Sequence, residues 1–382
     1  MAEIVILGAG FGGLATAHAL RPALTQGHTV TLIDRSSRLL MGLSKLCVLV
    51  DERSPEAGCG DRTRLNASGI RVIEAEVTHV DRAARRVRTS AGDHPYDYLI
   101  VAMGAETAPD AIPGLPVPSN LYDRAQVPGL RDQLKTITKG TVAIVVCGTP
   151  YKCPPAPFEA AMLVDSFLRA RGVRDSVALE VVIPDPNPMP VAGPSAGQQA
   201  RALLQERGIT LRANAKLTRV DSAAGELFFA QGERLRYDIL LAIPPHRAPL
   251  CVKEAGLTDA SGWIPVDPET LATSDPQVWA VGDVTAIRLP GSGMLPKAGI
   301  MAELQGEVVG QNLLGTLEGG GTKRTFDGSG YCFFEVGGHR AMMLHGAFYS
   351  EPGNRVRFEA PSTEAYAMKE RFESERLARW FG

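Results

Sequence analysis

Hydrophobic and polar positions follow two rhythms along this chain, and the points where one gives way to the other mark its elements. Ile4-Val5-Ile6-Leu7 is an unbroken apolar run of strand length. After Gly8-Ala9-Gly10-Phe11-Gly12-Gly13 the apolar spacing becomes helical as far as Leu20, and Val30-Thr31-Leu32-Ile33-Asp34 is again a strand. Strand, glycine turn, helix and strand make one βαβ unit of the kind that binds nucleotides. A strand over 98–102 then leads to Gly104, and Pro109, Pro113, Pro116 and Pro118 mark a linker. A second such pattern follows: Thr141-Val142-Ala143-Ile144-Val145-Val146, a helix over 159–171 and a strand over 179–183.

Tyr237-Asp238-Ile239-Leu240-Leu241-Ala242 echoes Tyr96-Asp97-Tyr98-Leu99-Ile100-Val101, which predicts that the chain returns to its first domain there. Beyond Gly319-Gly320-Gly321, a flexible stretch by composition, residues 331–348 are β-rich and 364–381 form a closing helix. The expected fold is α/β, with two Rossmann-like dinucleotide-binding domains and a C-terminal β-rich and helical segment. The expected boundaries are 1–112 for the first part of the first dinucleotide-binding domain, 113–236 for the second such domain, 237–317 for the second part of the first, and 318–382 for the C-terminal domain.

Composition narrows the function. A chain of 382 residues is longer than one ordinary core needs. Lys and Arg total 40 against 42 for Asp and Glu, with no long run of either sign, so nucleic acid is excluded as a partner. No basic start precedes an apolar stretch, so no leader is expected, and no apolar run approaches the roughly 20 residues that cross a bilayer. The expected location is the cytoplasm or the periphery of the cytoplasmic membrane, or the periplasm if a leader has been removed. Apolar positions of the closing helix (Tyr366, Met368, Phe372, Leu377, Trp380, Phe381) spread too widely for a narrow stripe. Packing, a homodimer contact and a membrane surface all stay open for it.

Six cysteines are scattered through the sequence; none forms a CxxC pair and no His stands at zinc-ligand spacing, so no metal site is expected. Cys59 and Cys251 read as buried apolar residues.

Gly8, Gly10 and Gly13 serve the turn, the approach of backbone to a pyrophosphate, and the packing of helix on strand. Asp34 closes the second strand at the distance expected of a carboxylate that accepts ribose hydroxyls. That fingerprint alone fits NAD or FAD. Val278-Trp279-Ala280-Val281-Gly282-Asp283 resembles the second FAD motif of disulfide-oxidoreductase-like flavoproteins, in which the acid meets the ribityl chain. Gly104, Gly282 and Asp283 therefore join the cofactor-binding set, and FAD is the expected cofactor. Where a second fingerprint belongs, the sequence reads Cys147-Gly148-Thr149-Pro150-Tyr151-Lys152-Cys153-Pro154-Pro155. Prolines lack the N–H donors that cradle phosphate, so NAD(P)H is not expected to bind there well.

The segment Lys152-Cys153-Pro154-Pro155-Ala156-Pro157-Phe158-Glu159 resembles the cysteine motif of sulfide:quinone oxidoreductases and of the flavoprotein subunit of flavocytochrome c sulfide dehydrogenase. Ile243-Pro244-Pro245-His246-Arg247, Leu295-Pro296-Lys297-Ala298-Gly299 and Tyr331-Cys332 agree with it, so the resemblance spans nearly the whole chain. It implies a glutathione-reductase-like fold and a redox pair formed by Cys153 and Cys332 beside the flavin. Hydrosulfide opens such a disulfide, leaving a persulfide and a thiolate from which electrons reach the flavin.

The resemblance further implies a general acid/base role for Glu159, against the alternative of a first-turn carboxylate held by the helix dipole. It implies that Lys297 stands at the flavin edge, where a cation stabilises negative charge on the reduced ring; an exposed loop lysine is the alternative. Members of the flavocytochrome branch hold FAD through a cysteine near the position of Cys47, but the surroundings here match poorly, and non-covalent FAD is expected. Cys147 reads first as a strand residue. The expected donor is sulfide or a related small sulfur compound. The acceptor is a quinone, with Phe333 and Phe334 as candidate walls, or else a cytochrome c. An NAD(P)H:quinone reductase and a non-catalytic flavin-binding electron relay are the competing readings.

Overall fold

The computed structural model describes residues 1–291, 293–351 and 355–382. Five parallel strands make the first sheet, in the order Val278–Ala280, Tyr98–Val101, Glu3–Leu7, Thr29–Asp34, Arg71–Glu74. Both faces of a parallel sheet are covered, which is why its strands are apolar throughout. Ile4 and Ile6 pack into one core and Val5 and Leu7 into another. On one face the helix Phe11–Ala19 crosses the long helix Gly299–Leu317, and the Thr16 hydroxyl donates to the Gly306 carbonyl at 3.1 Å. A Cβ on Gly306 would stand 2.3 Å from the Gly12 carbonyl oxygen, so only glycine permits this approach.

The second parallel sheet runs Thr210–Arg212, Val177–Val182, Gly140–Val146, Ile239–Ile243. This corrects the expectation that 237–242 returns the chain to the first domain: Ile239–Ile243 pairs with Gly140–Val146, and the return to the first sheet comes at Val278–Ala280. The reason is a repeated architecture. Each of the two Tyr-Asp segments follows a three-stranded antiparallel meander, and each aspartate ties the next strand to the opening strand of its own sheet. The Asp97 carboxylate accepts the Glu3 N–H at 2.8 Å, and the Asp238 carboxylate accepts the Thr141 N–H at 2.7 Å. The sequence echo therefore marks equivalent positions in two sheets.

Three antiparallel strands, Ser329–Gly337, Arg340–Ala347 and Val356–Phe358, precede the last helix, Thr363–Phe381. Ser362 caps that helix by accepting the Ala365 N–H at 3.0 Å. The helix packs on the protein: Ala365, Phe372, Trp380 and Phe381 are buried, and Arg376 pairs with Glu303 at 2.7 Å. The Trp380 ring meets Phe11 edge-on at 5.2 Å between centroids. Among the described residues no helix is long and apolar enough to cross a membrane.

Candidate active site

Gly8, Asp34, Gly104 and Gly282 all lie at or just beyond the carboxyl ends of parallel strands of the first sheet, the edge at which such sheets bind ligands. The glycine turn is tight. A Cβ on Gly13 would stand 1.9 Å from the Gly8 carbonyl oxygen, whereas one on Gly10 would meet nothing within 4 Å, which leaves the backbone there open to a phosphate. The Asp34 carboxylate accepts the Ala9 N–H at 2.7 Å, which ties the end of the strand Thr29–Asp34 to the turn.

Arg62, which the sequence reading did not single out, completes the clamp. Its guanidinium donates to the Ala9 carbonyl at 2.9 Å and to Asp34 at 3.2 Å, and also to the carbonyls of Ser36 and Arg38. With its orientation so fixed, Asp34 keeps further lone pairs for ribose hydroxyls.

At the second motif the Gly282 N–H donates to the Gln305 side chain at 2.7 Å, and Asp283 is half-buried with its Oδ1 out of reach of solvent and unpartnered. Burial raises its pKa, against the pull of Lys152 and Lys297. A buried acceptor without a donor is costly, and the ribityl hydroxyls of FAD supply what it lacks. The residues present fit FAD.

The cysteine loop leaves the strand Gly140–Val146 and enters the helix Ala156–Ala170, whose prolines suit its first turn. Cys153 sits there with φ +54°, a left-handed conformation that L-residues seldom adopt. It is held by its own N–H, which donates to the Lys297 carbonyl at 2.6 Å, and by the Tyr122 hydroxyl, which donates to the Lys152 carbonyl at 2.8 Å. Cys332 comes from the strand Ser329–Gly337. Its thiol donates to the Phe333 carbonyl at 3.5 Å; Cys153 and Cys332 line the same cavities, and both are free thiols. The neighbouring Cys332 side chain, then burial and the charge of Glu159, hold the Cys153 thiol well above the usual range.

The other cysteines stand apart. Cys147 is a buried core residue whose thiol points to the Val145 carbonyl, and Cys251 is also core. Cys59 is partly exposed, with its thiol toward the Pro55 carbonyl. Cys47 is pushed up to about 11 by burial, and its charged neighbours are Lys369 and several carboxylates.

Both cysteines of the pair border two cavities. One, of about 320 Å³, lies between the cysteine loop, Met189-Pro190-Val191 and the C-terminal strands. The other, of about 290 Å³, is walled by Phe11, Tyr331, Phe333 and Phe372 and reaches Glu159, Asp283 and Lys297. The expected pairing of Phe333 and Phe334 as walls is corrected: side chains of a strand alternate, so Phe333 faces the second cavity while Phe334 is fully buried on the other side against Phe358.

Lys297 is no exposed loop residue. Its side chain is buried, and the ammonium donates to the carbonyls of Asp283 and Thr285 and lies 3.4 Å from the Trp263 ring centroid. Burial lowers its pKa to about 8. Lys45 and Lys152 flank the Tyr122 ring at 5.9 Å each, and His246 meets that ring edge-on with its Nε2 buried and unpartnered. These residues lie far apart in sequence, and no local pattern announced Lys45 or Tyr122.

Glu159 does stand in the first turn of its helix, yet it is buried and reaches outward. Its carboxylate accepts the Glu335 N–H at 3.1 Å and lies 3.8 Å from the Lys369 ammonium, which is itself hydrogen-bonded to the Glu335 carboxylate. Burial raises Glu159 to about 7, with Lys369 opposing and Glu335 adding to the rise. At that value a carboxyl exchanges protons near neutrality.

In the second sheet, the crevice beyond Gly140–Val146 and Val177–Val182 is the place where a dinucleotide would lie. Here Pro150, Tyr151, Met189 and Pro190 line it, and it opens onto the first cavity. Proline presents no N–H to a phosphate.

The profile of the pyridine nucleotide-disulphide oxidoreductase family matches residues 2–306. The mitochondrial sulfide:quinone oxidoreductase of Mus musculus is 24% identical over 367 residues, covering 92% of this chain and 79% of that protein. The type II NADH:quinone oxidoreductase of Mycobacterium tuberculosis is 26% identical over 352 residues, covering 81% of this chain and 73% of that one. The X-ray structure of the sulfide:quinone oxidoreductase from Aquifex aeolicus superposes with a TM-score of 0.90 at 21% identity, covering all of this chain and 92% of that chain. At that identity the likeness bears on the fold.

Proposed function

Because the chain belongs to the pyridine nucleotide-disulphide oxidoreductase family and is an FAD-dependent oxidoreductase, we propose that it takes electrons from sulfide through Cys153 and Cys332 and delivers them to a quinone. What supports this reading is that two thiols far apart in the sequence, Cys153 and Cys332, stand together at the edge of the same two cavities. When bound, the flavin supplies a two-electron sink. Hydrosulfide attacks the oxidised pair, so that one S–S bond breaks and another forms, leaving a persulfide on one cysteine and a thiolate on the other. Closing the sulfur bridge between persulfide and thiolate releases two electrons and one proton, and Glu159 accepts that proton. The Lys297 ammonium, fixed on the turn that carries Asp283, holds positive charge beside the site as electrons arrive.

The donor enters by the first cavity, and the second accommodates the flavin ring and, against Phe333 and Phe372, the flat acceptor. The flavin is held without a covalent bond, since Cys47 borders neither cavity.

NADH oxidation is the second reading, favoured by the 26% identity to a type II NADH:quinone oxidoreductase and opposed by the proline-lined crevice. Anaerobic titration of the flavin-loaded protein, followed by absorbance, separates the two. Sulfide is expected to bleach the flavin band and NADH to leave it oxidised. Bleaching by NADH alone would overturn the proposal.

A further inference from the structure

The trio of Glu159, Glu335 and Lys369 is assembled from the cysteine-loop helix, the strand that carries Cys332 and the C-terminal helix, and all three side chains are buried. Two carboxylates and one ammonium leave a net charge of −1 in a dry interior, where an uncompensated charge is costly. One exchangeable proton removes it. Lys369 bonds directly to Glu335 and stands 3.8 Å from Glu159, so Glu159 is the less compensated carboxylate, and it is also the one that borders the second cavity.

We propose that Lys369 is a positioning residue for Glu159: divided between the two carboxylates, its ammonium sets the pH at which the cavity-facing carboxyl takes up a proton. The inference rests on the sulfide-oxidising reading for its role in turnover, while the charge coupling itself is a property of the protein alone. When sulfur chemistry occurs, an S–H bond breaks, its electron pair stays on sulfur, and the proton forms an O–H bond on Glu159, taking the trio from −1 to neutral.

The groups that face the trio are Cys47 and Glu52 from the Ser44–Leu49 helix and the residues after it, His339 from the turn between the first two C-terminal strands, and Tyr366 on the last helix. Cys153 and Tyr122 face Glu159 from the cavity side. His339 acts on Glu52, and Lys45, Lys152 and Lys297 line the same cavity as Glu159, but Lys369 is the cation within ion-pair distance of its carboxylate, at 3.8 Å, and so the controlling one.

The test compares Lys369→Met and Glu335→Gln with the wild type in two measurements: the pH dependence of sulfide-driven flavin reduction in the holoenzyme, and infrared titration of the protonated carboxyl C=O stretch without sulfide. Loss of the cation shifts both midpoints to higher pH, by roughly 1–3 units, as removal of an opposite charge within 4–6 Å does. Loss of the rival carboxylate leaves Lys369 to Glu159 and shifts both midpoints to lower pH. Midpoints that stay at the wild-type value, or that move the same way in both variants, overturn the proposal. If Lys369→Met does not fold, Glu335→Gln decides alone, because Glu159 keeps its cation. A wild type that sulfide fails to reduce would sink the functional reading, and the infrared midpoints would still decide the coupling.

Discussion

The N–H of Cys153 donates to the carbonyl oxygen of Lys297 at 2.6 Å, and the residues on either side continue the contact as a short parallel bridge between 152 and 297. The loop that bears Cys153 is thus carried on the loop that leads into the helix Gly299–Leu317. Position 153 combines a chemical requirement with a conformational one, and substitution can separate them.

Cys153→Gly accepts the left-handed backbone without strain. That relief offsets the greater freedom of glycine in the unfolded chain, so denaturant unfolding shows stability unchanged to within about 1 kcal/mol. The variant retains its yellow colour, and stopped-flow absorbance shows sulfide-driven flavin reduction slowed roughly a hundredfold or more. Reduction at the wild-type rate in Cys153→Gly would remove this sulfur from the pathway.

With Glu159 raised to about 7 by burial, the carboxylate that accepts a proton is present above that pH and lost below it. The rate of flavin reduction therefore rises with pH through about 7. Hydrogen sulfide ionises in the same range, so the measurement compares wild type with Glu159→Gln at matched hydrosulfide concentration. The wild type keeps its slope and the variant is slower by roughly 10²–10⁴-fold with no slope of its own.

Arg62 joins the phosphate turn to the ribose acid through its bonds to the Ala9 carbonyl and to Asp34. Arg62→Ala leaves the Ala9 carbonyl without this donor and Asp34 without its charged partner, though Asp34 keeps the Ala9 N–H, at a cost of roughly 3 kcal/mol. Flavin then dissociates on gel filtration from the variant and stays with the wild type. A variant that holds flavin as tightly as the wild type would show that Asp34 needs no clamp.

Phe333 and Phe334 are neighbours with opposite duties. Phe334→Ala empties a fully buried site and costs roughly 3–5 kcal/mol, while leaving the quinone KM in place. Phe333→Ala widens the second cavity and raises the quinone KM with a smaller loss of stability. Steady-state kinetics and urea unfolding of the two variants read the difference.

What the sequence disclosed was what is local. The glycine turn, Asp34, the strand at Val278–Ala280 and the closing helix each declare themselves within a few residues, because spacing and turn chemistry are short-range properties. The repeat at Tyr237-Asp238 was visible but misplaced: two equivalent strands look alike whether they share a sheet or not, and only pairing tells them apart. The Cys153 and Cys332 pairing came from family likeness, since no spacing rule joins such distant residues. Arg62, Lys369 and Glu335 carry no signal at all in a single sequence, where a lone charged residue looks the same whether it is solvated or buried in a network. For Lys297 the loop was legible and the direction of the ammonium was not, as a flexible side chain takes its bearing from tertiary partners such as Trp263.

Phe11 lies in the first glycine turn, and Phe372 and Trp380 belong to the last helix, yet the Phe11 ring meets each of the other two and shares a chamber wall with Phe372. The chamber is consequently sealed jointly by the glycine turn and the helix Thr363–Phe381, so that any change which frees that helix also unseals the wall against which a flat ring would lie.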